Sequence, residues 1–213
     1  GLLTALGSGT VTLRATLLGS ANYNSSVTET LITIGRSTPS LQFSPQPMTM
    51  VVGATQTVSA TSTTMLVDNG GGISYTLISG SGTATVNAGS GLLTALGSGT
   101  VTLRATLLGS VNYNSSFTDT LITIGRSTPS LYFNVINSNM ALNSVQTVSA
   151  TSTTALVDNG GGITYTVVAG SGSATVNTIT GQVTAIGSGR VTLTANLLGN
   201  GNYYGASTRT VIS

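Results

Sequence analysis

The sequence contains no cysteine, histidine, tryptophan or lysine, and charged residues make up only 5% of its 213 positions. Without cysteine and histidine, a zinc site, haem ligation and a thiol- or histidine-dependent nucleophile are excluded. Without lysine, a Walker-type phosphate loop and a Schiff base are excluded as well. The formal charge of +2 is spread along the whole chain, so we expect no nucleic-acid partner. No apolar run approaches the roughly 20 residues of a membrane span, so we expect no membrane insertion.

What the chain does contain is threonine, serine and glycine, which together form nearly half of it. Hydrophobic residues still account for 39% of the sequence, which is enough to form a core. Wholesale disorder is therefore not expected.

A 90-residue repeat organises the whole chain. Residues 1–36 recur at 91–126 with three changes, and residues 37–123 align without a gap on 127–213 at more than half identity. Self-similarity of this period is too long for a solenoid unit and suits an independently folding sandwich domain. We therefore divide the chain into an opening fragment (1–36), a first full unit (37–126) and a second full unit (127–213).

Within each unit the apolar residues recur with a period of two. In Thr100–Leu107, apolar side chains alternate with threonine and arginine, which is typical of a strand with one buried face. Together with turn signals every 8–12 residues, this predicts an all-β fold of tandem Greek-key sandwiches, with seven or eight short strands per repeat and no helices. The predicted strands of the first full unit are 40–44, 48–52, 55–62, 72–78, 83–87, 91–96, 99–108 and 115–124.

The linkers and the opening fragment bear on how the units are arranged. Residues 34–39 and 124–129 are short and carry one proline each, so we expect consecutive units to form a semi-rigid string. The opening fragment carries only the last strands of a sandwich and cannot bury its apolar face alone. We expect that face to be completed either by chain preceding Gly1 or by strands from another chain.

The order of short motifs in each unit resembles the bacterial immunoglobulin-like domains of the second group. The resemblance rests on an aromatic strand, an Ala-Thr-Val strand, a Gly-x-x-Thr-Ala strand and a Gly-Thr-Val-Thr-Leu strand, followed by an Asn-Tyr-Asn element. In the first full unit these are Ile73–Thr76, Gly82–Val86, Gly91–Ala95, Gly97–Leu103 and Asn112–Asn114. One departure is that Tyr75 and Tyr165 stand where such domains often have tryptophan.

This resemblance implies immunoglobulin-like sandwiches in tandem arrays of exported bacterial proteins such as adhesins and invasins, or modules in phage virions. It implies no catalytic residues and no cofactor. We therefore expect a non-catalytic structural stalk of a bacterial cell-surface adhesin, in the extracellular space, that spaces a distal binding tip from the cell. Its expected partners are neighbouring repeats and identical chains in a fibre.

Two other functions are alternatives to the stalk. One is an extracellular filament subunit that assembles by strand complementation, although the second full unit reaches its last strand. The other is a carbohydrate-binding module, for which the sequence offers few aromatic side chains.

Few residues are candidates for a metal, phosphate or catalytic site. Asp68 with Asn69, and Asp158 with Asn159, could supply oxygen ligands to a weak cation site, although turn chemistry explains these loops without a metal. Gly80–Gly82 and Gly97–Gly99 are glycine-rich but precede no helix, so we predict hairpin loops rather than phosphate sites. Ser and Thr lack a partnering base, and the four carboxylates show no pairing, so we expect no enzyme activity.

Surface positions give the remaining candidates. Asn24 and Asn114 match the glycosylation sequon. Inter-domain or lateral contacts are predicted at positions that lie in the linkers or vary between repeats, namely Arg36, Arg126, Arg14, Arg104 and Leu92.

Overall fold

The computed structural model describes residues 1–44, 48–63, 72–154 and 162–213. These residues form nineteen β-strands and no helix, which confirms the predicted all-β fold. Among them, therefore, no helix is long and apolar enough to cross a membrane.

The opening fragment is a single antiparallel hairpin. It consists of β1 (Gly9–Leu17) and β2 (Ser26–Ile34), paired in register from Gly9 opposite Ile34 to Leu17 opposite Ser26. No second layer covers it among the described residues. The apolar side chains that alternate along its strands are consequently exposed, and Leu13 is 48% exposed.

The first full unit has nine described strands in two layers. A four-stranded sheet runs in the order β4-β11-β10-β7, and the opposite layer contains the pair β3-β6 and the three-stranded sheet β5-β9-β8. The bounds are β3 Leu41–Ser44, β4 Met48–Val51, β5 Thr55–Thr57, β6 Ser59–Ser62, β7 Ile73–Gly80, β8 Thr83–Val86, β9 Leu92–Gly97, β10 Gly99–Leu107 and β11 Ser116–Gly125. These strands lie at the predicted positions within one to three residues.

The second full unit repeats this plan with eight described strands. Its sheets run β12-β14, β13-β17-β16 and β15-β18-β19. The bounds are β12 Leu131–Phe133, β13 Val145–Thr147, β14 Ala150–Ser152, β15 Ile163–Ala169, β16 Ser173–Val176, β17 Gln182–Gly187, β18 Val191–Leu197 and β19 Ala206–Ile212. Where the first unit has β4, backbone hydrogen bonds join Ser138 and Met140 to Ser213 without a full strand.

The predicted alternation of buried and wet side chains is present in β10. Val101, Leu103, Ala105 and Leu107 are buried, while the residues between them are partly exposed. The buried side chains of both layers form one core in each full unit, and Leu103 and Leu193 are fully enclosed. Burial of one face is what fixes the register of these strands.

The predicted single strand 55–62 is wrong in one respect, because it is split at Val58. Residues before Val58 pair with β9, and residues after it pair with β3 in the neighbouring sheet. Val58 itself is buried, and its N–H donates to the Gly91 carbonyl at 3.0 Å. The change of partner lets one chain segment serve two sheets.

The two Gly-Ser-Gly segments are not hairpin loops, which corrects a second prediction. β7 and β10 lie in one layer while β8 and β9 lie in the other, so both loops cross between layers. The loops contact each other through their backbones, since Gly82 N–H donates to the Thr100 carbonyl at 2.9 Å. Gly99 has φ +130°, and a Cβ there would lie 2.5 Å from the Gly82 nitrogen. Only glycine fits such a contact.

A buried tyrosine ties the two layers together in each full unit. The Tyr75 hydroxyl accepts a hydrogen bond from the Ala60 N–H at 3.0 Å, and Tyr165 accepts one from Ala150 at 3.1 Å. The smaller aromatic ring that replaces the expected tryptophan therefore also satisfies a backbone donor.

We expect Tyr75→Phe to destabilise the first full unit by about 1–2 kcal/mol, because the Ala60 N–H loses its acceptor. Residue-resolved hydrogen exchange should show faster exchange at Ala60 and unchanged exchange at Ala150, whose tyrosine is intact. Unchanged protection at Ala60 would contradict this role of the hydroxyl.

Candidate functional site: the junction between repeat units

Outside the cores, consecutive units are joined by side-chain and backbone hydrogen bonds. At both boundaries between units, the Gly-Ser-Gly loop at 7–9 or 97–99 faces the Asn-Tyr loop of the next unit. The contact occurs twice, between Ser8 and Asn112 and between Ser98 and Asn202, with the same separation of 104 residues along the chain.

The Asn-Tyr loop is held in shape by its own backbone. Asn200 N–H donates to the Tyr203 carbonyl at 2.9 Å, and Ser110 N–H donates to the Tyr113 carbonyl at the same distance. Gly109 precedes the loop, and a Cβ there would lie 2.8 Å from the Ser115 nitrogen. The glycine before each loop is therefore required by the close approach of the chain to itself.

Two hydrogen bonds join the loops at each junction. The Ser98 N–H donates to Asn202 Oδ1 at 2.9 Å, and the Ser98 hydroxyl donates to the Gly201 carbonyl at 2.6 Å. At the earlier junction, Ser8 makes the matching bonds at 2.8 Å to Asn112 Oδ1 and 2.5 Å to the Val111 carbonyl. The asparagine amide thus satisfies a backbone donor of the neighbouring unit.

An aromatic side chain adds an apolar contact to the later junction. Tyr203 is half-buried and packs against the core of the first full unit, although it belongs to the second. Its equivalent in the opening fragment, Tyr23, has no described unit before it and is 77% exposed. The difference in exposure shows that burial of this tyrosine depends on the preceding unit.

The linker is fixed to the same loop. Ser127 N–H donates to the Asn202 carbonyl and Tyr204 N–H donates to the Ser127 carbonyl, each at 2.9 Å. Ser37 makes the same pair of bonds with Asn112 and Asn114, at 3.0 and 2.8 Å. Since one loop holds both the linker and the preceding unit, the two units are connected at more than one point.

The two linkers differ at one position of the loop. In the first, the Asn114 amide donates to the Thr38 hydroxyl at 2.9 Å. In the second, Tyr204 occupies the equivalent position, and the Arg126 guanidinium lies 4.5 Å from the centre of its ring. Arg126 also donates to the Tyr203 carbonyl at 2.5 Å.

The predicted contact residues occupy three kinds of place. Arg126 lies at the later junction, whereas the equivalent Arg36 is exposed. Arg14 and Arg104 pair with carboxylates on the adjacent strand of the same hairpin, and Leu92 is 45% exposed in β9. Lateral contacts of these last three residues with another chain stay predictions.

The Arg104 pair is a surface feature of the hairpin β10–β11. Its guanidinium donates two hydrogen bonds of 2.8 Å to the Asp119 carboxylate and lies 3.9 Å from the centre of the Phe117 ring. The hydrogen bond from Arg104 holds the pKa of Asp119 below its usual value.

The other predicted sites are located as follows. Asn24 and Asn114 are both exposed, and the side-chain amide of Asn114 donates to the Thr38 hydroxyl. Asp68, Asn69, Asp158 and Asn159 lie outside the described residues. Within the described ranges, no three metal-ligating side chains gather.

Sequence reasoning did not assign the main contact residues of the junction. From the sequence, the Asn-Tyr element is a mark of resemblance and the Gly-Ser-Gly segment is predicted to be a local turn. The available signal was the shared presence of both elements in all three units, including the fragment. That two such elements touch across a junction is a fact of three-dimensional arrangement.

No protein-family model and no curated protein matches the chain. Among solved structures, it is similar to mouse cadherin-23 EC22-24 at 17% identity, covering 96% of this chain and 73% of that one, with a TM-score of 0.35. It is also similar to Drosophila N-cadherin EC1-4 at 16% identity, covering 95% and 58%, with a TM-score of 0.33. A third is the C-terminal 282-residue fragment of intimin in complex with the translocated intimin receptor's intimin-binding domain, at 15% identity, 80% and 62% coverage and a TM-score of 0.30.

The chain spans less than two thirds of the last two of these structures. All three TM-scores lie below 0.5, so these similarities carry no argument about function. The assignment of an all-β sandwich fold rests on the strands themselves.

We expect Asn202→Ala to loosen the later junction, because the Ser98 N–H loses its acceptor and the inter-unit contact weakens by about 1–2 kcal/mol. The measurement is hydrogen exchange at the Ser98 amide, which should become faster. Asn22→Ala is the matched control, since Asn22 occupies the same loop position in the fragment, where it is exposed. Equal behaviour of the two variants at Ser98 would show that the asparagine bond does not hold the junction.

We expect Arg104→Thr, which introduces the residue present at the equivalent position Thr194, to raise the pKa of Asp119 toward its ordinary value. The folded pKa of Asp119 is the lowered one, so the pair stabilises the fold above the ordinary carboxyl pKa. That contribution is lost as the pH falls through the folded pKa. An NMR titration of the Asp119 carboxyl carbon measures the change, with Arg190→Thr in the other full unit as the control. An unaltered titration in Arg104→Thr would refute the assigned cause.

Proposed function

We propose that this chain is a non-catalytic structural segment of an extracellular adhesive protein, a semi-rigid stalk that holds a distal binding tip away from a bacterial cell surface. The observation that carries this proposal is the junction, which recurs with the same hydrogen bonds at both unit boundaries. Domains joined only by a flexible tether move independently and do not form a repeated contact of this kind. A stalk does, because its reach depends on every junction resisting bending.

The geometry of the junction supports this mechanical role. The linker residue Ser127 is hydrogen bonded to the second full unit, and Ser98 of the first full unit is hydrogen bonded to the same loop. Bending at the linker would have to break these bonds and withdraw Tyr203 from the core that it packs against. Each such polar bond contributes about 0.5–1.5 kcal/mol, so several acting together oppose bending more strongly than any one of them.

The surface composition supports a place outside the cell. The chain has no cysteine, few charges and threonine-rich strands, and its sheet edges are not protected by lysine. Such edges are tolerated where the local concentration of identical chains is low or where a fibre covers them. Antibody labelling of intact cells, compared with permeabilised cells, tests this part of the proposal.

A filament subunit that assembles by strand complementation is the second candidate. It is favoured by one observation, the hairpin β1–β2, whose apolar side chains are exposed for want of a second layer. The second full unit argues against it, since its β19 is present and paired with β18. A carbohydrate-binding role has less support, because two of the exposed aromatic rings, Phe117 and Tyr204, lie against the guanidinium groups of Arg104 and Arg126.

Small-angle X-ray scattering tests the stalk. Three units of about 30 Å each, from strands of nine residues at ~3.3 Å, give an elongated particle near 100 Å and a radius of gyration of about 30 Å. A compact chain of this length would have a radius of gyration of about 17 Å.

The matched control inserts four glycine and serine residues between Arg126 and Ser127, which separates the linker from the preceding unit. We expect the insertion to broaden the distance distribution. A compact particle, or identical scattering from the two chains, would argue against a stalk.

A further inference from the structure

An arginine lies at the same position of both linkers, but only the later copy contacts the following unit. The Arg126 guanidinium donates to the Tyr203 carbonyl of the second full unit at 2.5 Å. It also lies 4.5 Å from the centre of the Tyr204 ring. The earlier copy, Arg36, is exposed and, in the described part of the chain, its side chain has no hydrogen bond, ion pair or ring contact.

The difference between the two arginines follows from the loop that each one precedes. The hydrogen bond and the ring contact of Arg126 are both made with the following unit, so the equivalent partners of Arg36 belong to the first full unit. That unit has the equivalent carbonyl, at Tyr113, but it has Asn114 in place of the ring. The Asn114 amide instead donates to the Thr38 hydroxyl at 2.9 Å. One loop residue therefore separates the two junctions.

The contact with the loop removes part of Arg126 from water. The residue is half-buried, and its Nε atom is enclosed without a hydrogen-bond partner in the described chain. Burial of a charged group costs free energy unless other contacts offset the cost. The hydrogen bond of the charged guanidinium and its attraction to the face of the Tyr204 ring are two such contacts. Gly199 leaves room for them, because a Cβ there would lie 3.0 Å from the guanidinium.

We propose that Arg126 and Tyr204 form a latch across the later junction, and that the loop position of Tyr204 determines whether two consecutive units are latched. A linker arginine binds a following unit that has tyrosine at this position, and it remains in solvent before a unit that has asparagine there. The chain thus contains two kinds of junction. The inference rests on the proposed function, because a latch has an effect only where a junction resists bending.

The latch adds to the hydrogen bonds that both junctions share. Ser8 and Ser98 make matching bonds with the loop of the following unit, whereas the arginine contacts exist only at the later junction. Ser127 follows Arg126 directly, and its N–H donates to the Asn202 carbonyl at 2.9 Å. For Ser127 to leave the loop, the neighbouring guanidinium has to be pulled from it as well. Exchange of the Ser127 amide hydrogen therefore reports on opening of the latch.

Hydrogen exchange in the full-length chain tests the latch with two matched substitutions. We expect Arg126→Ala to speed exchange of the Ser127 amide about five- to tenfold, because a charged hydrogen bond and a ring contact are lost. Arg36→Ala makes the same change in the other linker and should leave exchange of the Ser37 amide unaltered. The proposal is overturned if Ser127 exchanges in Arg126→Ala as it does in the unchanged chain, or if Arg36→Ala has an equal effect at Ser37.

Removing the ring tests whether Tyr204 is the partner of the arginine. In the Tyr204→Asn chain, the further change Arg126→Ala should speed exchange of the Ser127 amide by much less than it does when Tyr204 is present. The difference between the two effects is the coupling between the two side chains. A coupling of zero would show that the ring has no part in holding the arginine, which contradicts the latch.

Introducing the ring at the earlier junction is the converse test. In the Asn114→Tyr chain, we expect the further change Arg36→Ala to speed exchange of the Ser37 amide about fivefold, although the same change has no effect when Asn114 is present. Because both chains of this comparison lack the Asn114 bond to Thr38, its loss does not enter the result. If Arg36 stays without effect in the Asn114→Tyr chain, the loop residue does not determine latching.

A distance measurement between the full units separates the latch from the stalk. Because the chain has no cysteine, spin labels can be attached through Thr76→Cys and Thr166→Cys, at equivalent exposed positions of the two units. We expect a narrow distance distribution, which Arg126→Ala should broaden and Arg36→Ala should not. A narrow distribution that Arg126→Ala leaves unchanged would overturn the latch and leave the stalk standing. A distribution that is broad before any further change would overturn both proposals, because the later junction then bends freely.

Discussion

The whole structure depends on covering the apolar face of a two-stranded hairpin with a second layer. The hairpin β10–β11 and the hairpin β1–β2 have nearly the same sequence and the same register. In the first, Leu103 is fully buried, while its equivalent Leu13 is 48% exposed. Alternation along a strand therefore sets which side chains are to be buried, but burial itself requires strands from elsewhere in the unit.

The junctions follow from the same need at the ends of the units. A sandwich has open ends where its two layers are joined by loops, and in this chain the loops are two Gly-Ser-Gly segments in backbone contact. Apolar side chains lie just beneath them. A neighbouring unit closes that end with an asparagine that satisfies the loop backbone and a tyrosine that covers the core. The hydrogen bond of the asparagine and the apolar contact of the tyrosine thus lie side by side at the junction, and neither involves a charged group.

The sequence allowed most of the fold to be predicted and little of the junction. Period-two alternation located the strands, because the inward positions of a half-buried strand must be apolar. It did not reveal the split at Val58, where alternation continues although the hydrogen-bonding partner changes from β9 to β3. Nor did it reveal that Ser98 meets Asn202, because that contact depends on the packing of two units, which a residue pattern within one unit does not encode. Arg126 was among the predicted contact residues, on the ground of its place in the linker.

The near-identity of the two hairpins also poses a problem for the folding chain. The three differences between residues 1–36 and 91–126 place Phe117 for Val27 and Asp119 for Glu29 on the outer face, and Val111 for Ala21 in the loop. None of these positions is buried in the first full unit. Either hairpin thus presents the same inward side chains to the remaining strands of that unit. Two nearly identical hairpins can therefore pair with the remaining strands of that unit. The connectivity favours the native pairing, because β9 of the same unit leads directly into β10.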